Sequence, residues 1–219
     1  MIRVSLPHSP PHYESKVRLP GTAFLASTPR PTADDWRRER HWSHIHSDLY
    51  RWHKGVCVYC ASWTPRNATR GADHTSVDHF VPKSAMPRLA YEWSNFRLSR
   101  AKLNHRKADF QDVLDPLVVQ NGWFRLSFTT FRIEAPQGLP QNIQVKVDDT
   151  INRLQLNLDQ NYVNERARAV YRYSANKLPF AKLERLYPFI ASQMVAQDFD
   201  RNFRHKIQAV LAKMPWLSQ

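Results

Sequence analysis

The chain has 219 residues, of which 42% are hydrophobic, 12% are aromatic and only 5 are glycine, a composition that excludes a fibrous or disordered polymer and suits one well-buried domain with additions. Lysine and arginine total 32 against 19 acids, and a formal charge of +13 opposes compaction, so it is expected to meet a polyanion, nucleic acid first. No apolar run approaches the ~20 residues that span a bilayer, the N-terminal stretch lacks the apolar core of a signal peptide, and Cys57 and Cys60 are too few and too close for a disulfide framework; the expectation is a cytoplasmic protein with no membrane partner.

Residues 1–31 contain Pro7, Pro10, Pro11, Pro20, Pro29 and Pro31, which predicts an extended arm packed by Val17, Phe24 and Leu25 rather than a helix. From Thr32 to Lys54 a helix is predicted. Thr32 is the N-cap, Asp34 and Asp35 suit the positive end of the dipole, and Gly55 is the stop. Trp36, Trp42, Ile45, Leu49 and Trp52 recur at roughly helical spacing and read as a core stripe. Residues 32–115 thus form a helix plus the segment with chemical content, and 116–219 a second part. There, residues 122–134 alternate apolar and polar side chains as in a hairpin. Helices follow over about 140–156, 160–176 and 180–213, the last broken near Pro188. Ile151, Leu154, Leu156 and Leu158 supply an apolar face, and Arg166, Arg168 and Arg172 a wet one.

Three motifs fall in order: CVYC at 57–60, SVDHFVPKS at 76–84 and SNFRLSRAKLNHRKADF at 94–110. Hydrolysis of a phosphodiester needs a base to activate water and a cation to stabilise charge on the phosphate. A hard ion such as Mg²⁺ takes a few oxygen ligands and keeps several waters. Asp78 offers a carboxylate and Asn104 an amide oxygen, while His79 adjoins Asp78. Neighbours on a strand point to opposite faces, so Asp78 and His79 share a site only if the strand bends. Each residue also has a plain alternative. His79 suits a core, Asp78 a strand-end turn and Asn104 a helix surface, and His105 rivals Asn104 as a ligand. Between Asn95 and Ala108 stand Arg97, Arg100, Lys102, Arg106 and Lys107 with no acid, a strip that would face phosphates.

The ordered set resembles the HNH (ββα-metal, His-Me finger) endonucleases, over about a quarter of the chain. The resemblance implies an α+β fold, in which a ββα-metal finger is embedded in a mostly helical body with a small β-hairpin. It implies that His79 is the general base, that Asp78 and Asn104 hold Mg²⁺ or Mn²⁺, and that Asn95 completes the catalytic set by tying the loop between the strands. Lys83 and Lys107 match basic positions that contact phosphate. The implied reaction cuts DNA, with RNA as the alternative, and leaves a 5′-phosphate and a 3′-hydroxyl. Many members close the finger with a structural zinc on two CxxC pairs. Here Arg100 and Leu103 stand where the second pair belongs, so no structural zinc is expected and Leu103 is expected in an apolar core. The size and single HNH core are also similar to nucleases of bacterial anti-phage systems of the Septu kind, which implies an antiviral role beside an ATPase partner. Two other classes compete: a catalytically silent nucleic-acid-binding module, and a structural subunit of a larger complex.

Overall fold

Two antiparallel strands and the helix that follows them carry the predicted motifs. The computed structural model describes residues 1–67 and 73–199, and these fall into two units. One comprises Val4–Tyr59 and Thr64–Gln111; the other comprises Met1–Arg3, Cys60–Trp63 and the chain from Asp112. The fold is α+β.

In the first unit a π-helical turn, Glu14–Arg18, leads directly into α1, Leu19–Ser27. The segment expected as an extended arm is therefore largely helical. Between Pro11 and Pro29 the only proline is Pro20, and it sits where the π-helical turn passes into α1. Val17 is buried as expected, and Phe24 and Leu25 pack against the same core. Helix α2, Ala33–Arg38, opens with a capping box in which Thr32 and Asp35 bond each other's backbone amides.

The single helix expected over 32–54 is broken. The Tyr91 hydroxyl donates to the Glu39 carbonyl at 2.7 Å. The amide that would otherwise bond there, Ser43 N, turns to Arg40 O and starts a 3₁₀ turn at His41–Ile45. Helix α3, His46–Trp52, follows. The break wraps Trp36 and Trp42 around Tyr91, with ring centroids 6.2 and 5.8 Å away. These rings form one core with Ile45, Leu49, Phe96 and Leu98. Trp52, predicted for that stripe, lies 53% exposed because the break shifts its helical phase.

Strand β1, Thr75–His79, pairs antiparallel with β2, Phe96–Arg100, in a register that sets Val77 against Leu98 and Asp78 against Arg97. Helix α4, Ala101–Lys107, follows β2 without a loop. The CVYC knuckle docks on the same hairpin: Val58 N donates to Leu98 O at 3.0 Å, and Arg100 N donates to Cys57 Sγ at 3.2 Å. Leu103 is fully buried.

In the second unit the short strands β3, Arg125–Leu126, and β4, Ile133–Glu134, pair antiparallel, as the alternation at 122–134 predicts. Helices α5, Gln141–Arg153, α6, Gln160–Ser174, α7, Phe180–Leu186, and α8, Pro188–Ala196, follow. The break near Pro188 is where the sequence puts it, and positions 200–213 of the last predicted helix lie outside the described residues. Ile151, Leu154 and Leu156 are buried, whereas Leu158 is exposed. Arg166, predicted on a wet face, is buried instead. It donates to the carbonyls of Phe131 and Leu156 at 2.7 and 2.9 Å, satisfying acceptors that a short-stranded hairpin and a helix end leave open. Burial pulls its pKa down to about 10, and it stays charged at neutral pH. Among the described residues no helix is long and apolar enough to cross a membrane.

Candidate active site

A cavity of about 550 Å³ opens along β1, and Asp78, His79 and Asn104 all line it. His79 is the last residue of β1. There the ladder ends, and the strict alternation of side chains relaxes enough for Asp78 and His79 to reach one space. Lys107, the last residue of α4, helps fix that end: its ammonium lies 3.2 Å from Asp78 Oδ1 and donates to the His79 carbonyl at 2.8 Å. From the opposite side the Tyr59 hydroxyl donates to Asp78 Oδ2 at 2.5 Å. Asp78, Tyr59 and Lys107 are each no more than 2% exposed, so the carboxylate is charge-matched and gripped through both oxygens.

The His79 ring stands edge-on to Trp42, centroids 4.7 Å apart, and to Phe96 at 5.4 Å. Its Nε2 lies 2.9 Å from the Ala90 carbonyl, which can only accept; the proton therefore sits on Nε2, and Nδ1 is left as the basic nitrogen. Burial, reinforced by the charge of Lys83, pushes the pKa down to about 3, against a weaker upward pull from the Ala90 bond. At neutral pH the ring is uncharged.

Asn104 is oriented by β1. Its Nδ2 lies 3.0 Å from Ser76 Oγ and 3.2 Å from Val77 O. Val77 O accepts only, so the nitrogen must face the strand and the amide oxygen is left to accept from elsewhere. His105, its rival, is exposed and does not line the cavity. Asn95 is buried away from the cavity. Its Oδ1 accepts from Val81 N at 2.7 Å and its Nδ2 donates to Val81 O and Leu89 O, which ties down the connection between β1 and β2.

At Asp78 and Asn104 a divalent cation would find oxygen donors. Among the described residues no cluster of three or more His, Cys, Asp or Glu is arranged to hold a metal. A hard cation that keeps most of its waters does not need one, since one carboxylate plus a neutral oxygen suffices. Each Asp78 oxygen keeps a lone pair beyond its one hydrogen bond, and the Asn104 oxygen faces away from β1. The donor set fits Mg²⁺ or Mn²⁺.

The basic strip expected along 95–108 does not form a surface. Arg97 is buried over the Phe80 ring at 5.3 Å and donates to Ser94 O and Phe96 O. Arg100 is buried with Nε donating to Thr64 Oγ1 at 2.7 Å, and Lys107 is buried against Asp78. Strand β2 is covered on both faces, so its arginines turn inward to satisfy backbone and hydroxyl acceptors. Lys102 is exposed and Arg106 half-buried, and neither lines the cavity. Of the six predicted contacts only Lys83 lines it.

Sequence reasoning did not place Tyr59, Arg40, Arg66, His46 or His74 in the site; His74 and the histidines at 41–46 entered it only as candidates to complete a zinc site with Cys57 and Cys60. Tyr59 lies inside the CVYC knuckle, and the other four join Asp78 on the cavity wall. The chain matches no protein-family model, and a comparison with curated proteins finds no match either.

Proposed function

We propose that the chain is a metal-dependent endonuclease of the HNH kind that hydrolyses phosphodiester bonds, in DNA first. The observation that carries this reading is the meeting on one cavity wall of a neutral histidine, a tethered carboxylate and an oriented amide. His79 Nδ1 takes the proton of the attacking water, and the Nε2–Ala90 bond holds the ring in the tautomer that makes this possible. Asp78 and Asn104 are the residues that would hold Mg²⁺ or Mn²⁺, which when bound supplies charge stabilisation at the phosphate. Tyr59 and Lys107 fix the Asp78 carboxylate through its two oxygens. Trp42 and Phe96 exclude water from the flanks of the imidazole.

A role in bacterial anti-phage defence beside an ATPase partner belongs to the same proposal and rests on the resemblance alone, while a cytoplasmic location rests on the sparse cysteines. The alternative of a silent binding module is disfavoured by the meeting of His79, Asp78 and Asn104 on one cavity wall. The test compares two neighbours on α4. Asn104→Ala abolishes Mg²⁺-supported cleavage while DNA binding without metal stays nearly unchanged. His105→Ala costs less than about tenfold, since an exposed residue there acts through phosphate contact alone. The reverse ranking overturns the assignment.

A further inference from the structure

The cavity does not end at Asp78 and His79; it continues along β1 to Thr75, a distance of ~13 Å at about 3.3 Å per residue. At the Thr75 end it is lined by His46, Arg66 and His74. His46 Nε2 lies 2.9 Å from Thr75 Oγ1, and that hydroxyl donates in turn to Arg66 O at 3.3 Å. The hydroxyl therefore accepts from His46, and Nδ1 of His46 is left over. The Arg66 guanidinium meets only neutral partners, Asn67 Oδ1 at 3.3 Å and Ser47 Oγ at 3.0 Å, which leaves three of its five donors. Neither Arg66 nor the His74 ring has a carboxylate partner among the described residues.

At the His79 end Lys83 and the exposed Arg40 line the wall. The Lys83 ammonium lies 5.6 Å from the Trp42 ring and 6.0 Å from Trp36, with no carboxylate within ion-pair distance among the described residues. Asp109 is the one acid at this end. Between the two ends the charge of Asp78 is already matched by Lys107. The wall thus carries an excess of positive charge at both ends and a neutralised centre, and burial together with Arg66 and His74 disfavours a further proton on His46.

We propose that this cavity is a track for consecutive phosphates of one nucleic-acid strand, in which His46, Arg66 and His74 hold the phosphates on one side of the bond to be broken and Lys83 with Arg40 those on the other. The proposal rests on the nuclease reading for the location of the cut, but the binding it describes needs no metal.

The test is binding of the full chain to a fluorescent oligodeoxynucleotide in chelator, read by anisotropy across a salt series. Arg66→Ala and Lys83→Ala each weaken binding by about tenfold and make the salt slope shallower by about 1. Arg66→Lys recovers most of the affinity, which separates a lost charge from a lost fold. In a second arm the oligonucleotide carries one neutral methylphosphonate linkage, placed next to the cut on one side or the other. Arg66→Ala becomes indifferent to the substitution on one side and Lys83→Ala to that on the other. Wild-type affinity and slope in both variants, or equal responses to both linkages, overturn the track. A wild-type chain that binds with these slopes but never cuts in Mg²⁺ or Mn²⁺ overturns the nuclease reading and leaves the track standing. A chain that cuts while Arg66→Ala binds as wild type does the opposite.

Discussion

The Tyr59 hydroxyl donates a 2.5 Å hydrogen bond to Asp78 Oδ2, joining the middle of the CVYC knuckle to the centre of the candidate active site. In proteins that use paired cysteines to hold zinc, a knuckle of this type is a scaffold. Here it also delivers a donor to a buried carboxylate. Tyr59→Phe keeps the ring and removes the bond, and it should cost about 1.5–3 kcal/mol, the usual range for hydrogen bonds to charged groups. A urea titration without metal reads the loss, and the Mg²⁺ concentration needed for half-maximal cleavage should rise in parallel. An unchanged midpoint would remove Tyr59 from the account.

Lys107 and Asp78 are both buried, so neither charge can turn to water when the other is lost. Lys107→Met should destabilise the chain by about 3–5 kcal/mol, since it leaves an uncompensated buried carboxylate. Adding Asp78→Asn to that variant should recover part of the loss, because the stranded charge is gone. Urea denaturation of the single and double variants decides it; a double variant less stable than the single one contradicts the pairing.

The sequence made the strands, the hairpin and the order of the motifs legible, because each is local. The period-2 alternation, the Thr32 cap and the run DHFVPKS need no distant partner. Arg97, Arg100 and Lys107 were misread as a surface because a basic run says nothing about which side of a strand is covered, and β2 is covered on both. Tyr59 and His46 reach β1 only through tertiary structure, from 19 and 29 residues away. The broken helix at Glu39 has the same cause, a hydroxyl 52 residues distant.

Gly21 lies against the face of Tyr91, and a β-carbon there would collide with three carbons of the ring. Tyr91 is buried and anchors the break at Glu39, so it has nowhere to move. Gly21→Ala should therefore lower stability by about 1–3 kcal/mol, the range for overpacking, although alanine is otherwise the better helix former. A thermal melt above that of the parent chain would contradict the contact.

His53 and His79 are held neutral by burial, with pKa values pushed down to about 4 and about 3, and Arg97 adds to the effect at His53. Between the usual histidine value and those values the unfolded chain binds protons that the folded chain does not. Stability therefore falls as pH falls through that window, by up to ~1.4 kcal/mol per pH unit for each group. Urea midpoints without metal should drop between pH 6.5 and pH 5, before the carboxylates titrate, and the drop should shrink in His53→Gln. A flat profile over that interval would mean that these rings are solvated.

In the proposed nuclease His79 is the base that activates water against the phosphodiester. Supercoiled plasmid incubated with the purified chain in Mg²⁺ or Mn²⁺ should be converted to open-circular or linear DNA, and chelator should stop it. His79→Ala should slow that conversion by at least ~10²-fold, the usual contribution of a general base, while its circular dichroism stays that of a folded chain even though the gap left between Trp42 and Phe96 lowers its melt. Intact plasmid with the parent chain in both metals, or equal conversion by a folded His79→Ala variant, would contradict the account.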